Sequence, residues 1–155
     1  MATLTELHQA VQKVLASRRL GQPVFVRYLV QGLENAESIF PRLTRISAIV
    51  RAWLGQPLER LHALGSTSSG QVALTLQFRD GVTALIIFAQ SQPRGAGVDI
   101  LVIGNHGTLN YDAVSAVSWE ESPAAEAPVD PLLYEAIEQS LLSGQPVALS
   151  EEARA

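Results

Sequence analysis

The stretch Val72-Ala-Leu-Thr-Leu-Gln-Phe-Arg-Asp-Gly-Val-Thr-Ala-Leu-Ile-Ile-Phe-Ala89 holds two apolar runs, Val72 to Phe78 and Val82 to Ala89, separated by Arg79-Asp80-Gly81. An Asp-Gly pair tolerates the positive φ angles of a tight turn, so the stretch predicts a β-hairpin. The second run is apolar at odd and even positions alike, and Ile100-Leu-Val-Ile103 repeats that feature. A sheet with one face in water should alternate instead. Both faces of this sheet are therefore expected to be covered.

Strands extend outward from this hairpin. Leu58 to Leu64 precedes it, and Val98 to Ile103 follows, leading into the turn Gly104-Asn105-His106-Gly107. Thr108 to Tyr111 and Ala113 to Trp119 are expected as shorter strands closing a meander, and Val24 to Val30 is a strand by its β-branched and aromatic content. Thr3 and Glu6 form a capping box ahead of a first helix with Leu4, Leu7, Val11, Val14 and Leu15 at helical spacing. Gly21 and Pro23 stop that helix. Ala36 to Leu54 predicts a second helix, with Pro41 placed best in its first turn. Ser122 to Val129 is a Pro/Ala linker, and Asp130-Pro131 caps a third helix over 130–143 ended by Gly144. A polar tail or short extra helix closes the chain. The fold class is α+β: a largely antiparallel or mixed open sheet in one domain over 1–155, helices on one face and the other face available for oligomerisation. A second copy of the chain is the cover this reading expects there, with Leu85, Ile87, Leu101 and Ile103 as interface candidates.

Composition removes several functions. The chain has 155 residues, 47% hydrophobic and 17% charged, with formal net charge −4 and only Arg18-Arg19 as an adjacent basic pair. Nucleic-acid affinity needs clustered cations, so no nucleic-acid partner is expected. With no cysteine, disulfides and thiolate chemistry are excluded. His8, His62 and His106 are too dispersed for a metal site and are read as an exposed helix residue, a strand residue facing a groove or water, and a turn residue. Ser66-Thr-Ser-Ser-Gly70 lacks the surroundings of a nucleophile elbow or phosphate loop and reads as a connection. Without a signal peptide or membrane-length apolar run, a cytoplasmic protein is expected, with no membrane partner.

The order of short motifs resembles the C-terminal, non-Rossmann domain of the Gfo/Idh/MocA oxidoreductases. Leu15-Ala-Ser-Arg-Arg-Leu-Gly-Gln-Pro-Val-Phe-Val-Arg27 is similar to the family's helix, turn and first strand of that domain. Arg51-Ala-Trp-Leu-Gly-Gln-Pro57 is similar to the helix end that leads into the sheet. Gly70 to Val82 matches the hairpin with its Asp-Gly turn, Val102-Ile-Gly-Asn-His-Gly-Thr-Leu-Asn-Tyr-Asp112 a strand and turn, and Leu142 to Glu152 the closing segment.

The resemblance implies a Rossmann domain ahead of this part, yet the chain opens directly on the second-domain helix and contains no G-x-G-x-x-G. It also implies a catalytic His and, three residues on, an Asp, at positions near Arg45 and Ala48, or Ile46 and Ile49. No His lies between Phe40 and Leu61, so no group there titrates near neutrality. The expectation is a chain with no catalytic, cofactor-binding or metal-binding residues and no activity of its own: a pseudoenzyme that serves as an interaction module, forming a homo-oligomer (dimer or tetramer) through its sheet or docking on an oxidoreductase. Two alternatives stand beside it. One is a subunit of a split sugar oxidoreductase, in which NAD(P) enters only with a partner chain supplying the Rossmann domain. The other is a small sugar- or anion-binding module in a relic substrate groove, where Arg45 replaces the family's histidine.

Overall fold

The computed structural model describes residues 4–31, 39–66, 68, 70–89, 97–114 and 130–149. The capping residue Thr3, the start of the second predicted helix, most of the Ala113–Trp119 strand and the 122–129 linker lie outside them. Helix α1 spans Leu4–Ala16, α2 Ile39–Leu54 and α3 Pro131–Ser143. Seven strands are described: β1 Pro23–Gln31, β2 Leu58–Ser66, β3 Gln71–Phe78, β4 Thr83–Ala89, β5 Gly97–Gly104, β6 Thr108–Val114 and β7 Val147–Ala148.

These strands form one mixed sheet in the order β6-β5-β1-β4-β3-β2-β7. Every neighbouring pair is antiparallel except β1 and β4, which run parallel because α2 and the β2–β3 hairpin intervene between them. The predicted hairpin closes as the Asp-Gly pair requires. Asp80 and Gly81 adopt φ of 64° and 79°, and the Phe78 N–H donates to the Val82 carbonyl at 2.8 Å. Pro41 sits in the first turn of α2, where its missing N–H leaves no helical bond unmade. The Asp130 carboxylate accepts from the Leu132 and Leu133 N–H groups at 3.0 and 3.4 Å, Pro131 opens α3, and Gly144 ends it in the left-handed region.

The tail departs from the expected coil or helix. Val147 and Ala148 add a seventh strand to the edge of β2, held further by the Leu149 N–H donating to the Glu59 carbonyl at 2.8 Å. Pro146 precedes this strand, and two residues are too few for a readable alternation. Ser140 ties α3 to the same edge: its Oγ accepts from the Ala63 N–H and donates to the Gln145 carbonyl.

Alternation in the strands divides the sheet into two faces. Val26, Tyr28 and Val30 of β1, Leu74 and Leu76 of β3, Ile86 and Phe88 of β4, and Ile100 and Val102 of β5 are buried. Leu7 and Val11 of α1, Leu43, Ile46 and Val50 of α2, and Leu133 and Ile137 of α3 join them in one core. All three helices thus pack on this face. Thr44 and Ser47 enter that core by donating to the carbonyls four residues earlier, Phe40 and Leu43. The opposite face carries the residues in between, which remain partly exposed in the single chain.

Candidate functional site

Three cross-strand rows describe the open face. Leu101, Arg27, Leu85 and Thr75 are neighbours across β5, β1, β4 and β3; one step along, Asp99, Leu29, Ile87 and Ala73 form the second row. Ile103, Phe25, Thr83 and Gln77 form the third. The four interface candidates Leu85, Ile87, Leu101 and Ile103 therefore lie on one face, and Phe25 and Leu29 complete an apolar patch across three adjacent strands. Within it, the Arg27 guanidinium meets the Asp99 carboxylate at 3.4 Å, with side chains 37% and 26% exposed. The Arg27 Nε is buried and has no hydrogen-bond partner among the described residues. Opposite charges a strand apart on an apolar surface give a face able to match itself under a two-fold axis.

A second feature lies on the helix side. A cleft of about 630 Å³ runs between α1 and α2, with His8, Gln9, Gln12 and Arg18 on one side and Ile49 and Trp53 on the other. His8 corrects the sequence reading. It is not an exposed helix residue but 8% exposed, with Nε2 2.7 Å from the Tyr28 hydroxyl and its ring edge-on to Trp53 at 5.6 Å. Trp53 in turn stacks on Tyr28. Burial lowers the His8 pKa to about 4 and raises that of the Tyr28 phenol, so both groups are neutral near pH 7. The ring is a hydrogen-bonded filler of the α1–sheet contact, held by the Tyr28 hydroxyl and by the Tyr28 and Trp53 rings.

The remaining candidates stand apart. Arg45 is half-buried on α2 with its Nε lacking a partner among the described residues, and it is not among the residues lining the cleft. The His62 Nε2 lies 3.1 Å from the Gly144 carbonyl, joining β2 to the end of α3. At the predicted turn, His106 and Asn105 dock by their N–H groups on the Leu20 and Gln22 carbonyls. Gly104 has no room for a Cβ, which would fall 2.1 Å from the Leu20 oxygen. The described residues contain no group of three or more His, Asp or Glu placed to hold a metal, and no helix among them is long and apolar enough to cross a membrane.

Comparison with protein-family models and with curated proteins gives no match. Solved structures do match. Myo-inositol dehydrogenase from Corynebacterium glutamicum superposes with a TM-score of 0.70 at 13% identity, over 92% of this chain and 61% of that one. Myo-inositol 2-dehydrogenase from Lactobacillus plantarum gives 0.67 at 13%, over 92% and 61%. Scyllo-inositol dehydrogenase from Lactobacillus casei, with bound NAD(H) and scyllo-inositol, gives 0.64 at 10%, over 91% and 61%. The chain has the Gfo/Idh/MocA C-terminal domain fold. It spans about three fifths of the length of these dehydrogenases.

The sequence contains no G-x-G-x-x-G of the kind that holds a dinucleotide. A pyrophosphate needs a Gly-rich turn from a strand into a helix N-terminus. Residues 32–38, between β1 and α2 in sequence, contain one glycine and two glutamates.

Proposed function

We propose that this chain is a non-catalytic assembly module whose open sheet face pairs with the same face of a second copy. The observation that carries this reading is the apolar patch of Phe25, Leu29, Leu85, Ile87, Leu101 and Ile103, on the face opposite the helices. A seven-stranded face of roughly 30 by 24 Å, from ordinary strand spacing and rise, offers on the order of 700 Å². A stable interface takes about 800 Å² from each partner, so the face is close to the required size. Arg27 and Asp99 supply the polar element that sets orientation, because a two-fold axis can bring each toward its opposite on the other copy.

Cysteine cross-linking tests the geometry directly, since the chain contains no cysteine. Thr83→Cys lies on the open face at the start of the central strand β4, between Phe25 and Gln77, whereas Gln12→Cys lies on the exposed side of α1. Under mild oxidation or with a short bismaleimide, Thr83→Cys is expected to give covalent dimers rapidly and Gln12→Cys to give few. Equal yields at both positions would contradict the pairing.

The fold likeness also supports a second reading, in which the same face or the helix layer docks on a chain bearing a nucleotide-binding domain. NAD(P) would then enter with that partner. Co-purification with a nucleotide-binding chain and NAD(P)-dependent activity of the pair would favour this over self-pairing.

A further inference from the structure

The cleft between α1 and α2 has a lining that the assembly role does not use. Gln9 and Gln12 stand one turn apart on α1, exposed, and neither amide has a partner among the described residues. Arg18, at the end of the same wall, is exposed and has no ion-pair partner among them. Facing these groups, Ile49, Ala52 and Trp53 of α2 form an apolar, partly aromatic wall. The lining thus carries one cation and no acid; Glu6 lines an adjoining groove on α1 that shares Gln9 and Gln12 with the cleft. A volume of about 630 Å³ suits a molecule the size of a monosaccharide, with some room left for water.

We propose that this cleft binds a small hydroxylated carboxylate of the sugar-acid class. A planar guanidinium matches a carboxylate with two charge-assisted hydrogen bonds, which fixes the anionic end at Arg18. The two amides each offer a donor pair and an acceptor, the complement of vicinal hydroxyls. The C–H face of a sugar ring packs on Trp53 and Ile49. A neutral sugar would leave the guanidinium unmatched, and an apolar acid would leave both amides facing carbon, so each lacks part of the recognition. The cleft lies on the helix side, away from the open sheet face, so its test is independent of whether the chain dimerises.

The probe is D-glucuronate, followed by amide and indole NMR shifts of the full chain, with D-glucose and cyclohexanecarboxylate as the hydroxyl-only and charge-only controls. Saturable shifts are expected at Gln9, Gln12 and the Trp53 indole, with both controls about tenfold weaker or more. Arg18 has φ of 59°, a conformation asparagine tolerates, so Arg18→Asn removes the charge without adding strain. It is expected to weaken glucuronate binding about tenfold and to erase the preference over glucose. Ile49→Trp, which fills the cleft, is expected to abolish the shifts while the far-strand amides stay in place. Absence of saturable shifts at these residues with millimolar glucuronate, or an Arg18→Asn variant with unchanged affinity, would overturn the assignment.

Discussion

Ile87→Asp is expected to convert the proposed dimer into folded monomers. Ile87 stands on the open face in the row beside that of Arg27 and Leu85, between Leu29 and Ala73, and is partly exposed in the single chain. In the monomer a carboxylate there reaches water, so the fold should survive with little loss. In a two-fold pair each copy would bury an unpaired charge, at about 3–5 kcal/mol apiece. Two such penalties raise the dissociation constant by on the order of 10⁴ or more. Ile87→Thr, which keeps the β-branch and adds only a hydroxyl, should weaken assembly far less. The check is the mass in solution of both variants beside their circular dichroism. An Ile87→Asp protein that keeps the wild-type mass and spectrum would remove the open face from the interface.

The second large effect concerns acid. His8 titrates near 6.5 in the unfolded chain and at about 4 in the folded one, because burial against Tyr28 and Trp53 disfavours the imidazolium. Between those values the unfolded chain binds the extra proton. The stability associated with neutral His8 is therefore fully present above pH 6.5 and is lost as pH falls toward 4. The depressed pKa corresponds to about 3 kcal/mol, a large share of the 5–15 kcal/mol that is usual for a domain. Urea unfolding at about pH 7.5 and about pH 4.5 should show that difference in the wild type. His8→Gln keeps a hydrogen-bonding group near the Tyr28 hydroxyl but does not titrate, and its stability should fall by about 3 kcal/mol less over the same range. Equal losses in the two proteins would mean that His8 is not the buried neutral group described.

Much of the architecture was legible because it rests on local chemistry. The Asp80-Gly81 turn requires positive φ at both residues, and both adopt it. Asp130, Pro131 and Gly144 each carry a conformational preference that marks one end of α3. The doubled apolar character of β4 and β5 likewise resolves into a core row and an open row once the pleat is imposed. What sequence alone did not yield depends on partners far along the chain. The edge strand β7 forms because β2 leaves hydrogen-bonding groups at Arg60 and Leu61, and two residues give no periodicity of their own. His8, one residue beyond Leu7 at the edge of the apolar stripe, reads as exposed, although Leu4, His8, Val11 and Leu15 recur at four-three-four spacing. That spacing places His8 on the inner stripe; Tyr28 and Trp53, 20 and 45 positions away, make the place tolerable.

The cleft was the least visible feature. Its polar wall consists of residues that any exposed helix face carries, and they become a site only when α2 sets Ile49 and Trp53 opposite them. Arg45, singled out by its place relative to the family's histidine, stands on the same helix outside the cleft lining. A motif register fixes position along a helix. It does not fix which neighbour the helix faces.

The central claim is that the open face of the sheet is a self-pairing surface. Light scattering behind size exclusion, over a range of concentrations down to low micromolar, measures it most directly. The account predicts a mass of twice the single chain, or four times if pairs associate further, that persists on dilution. A mass of one chain at every concentration would contradict it.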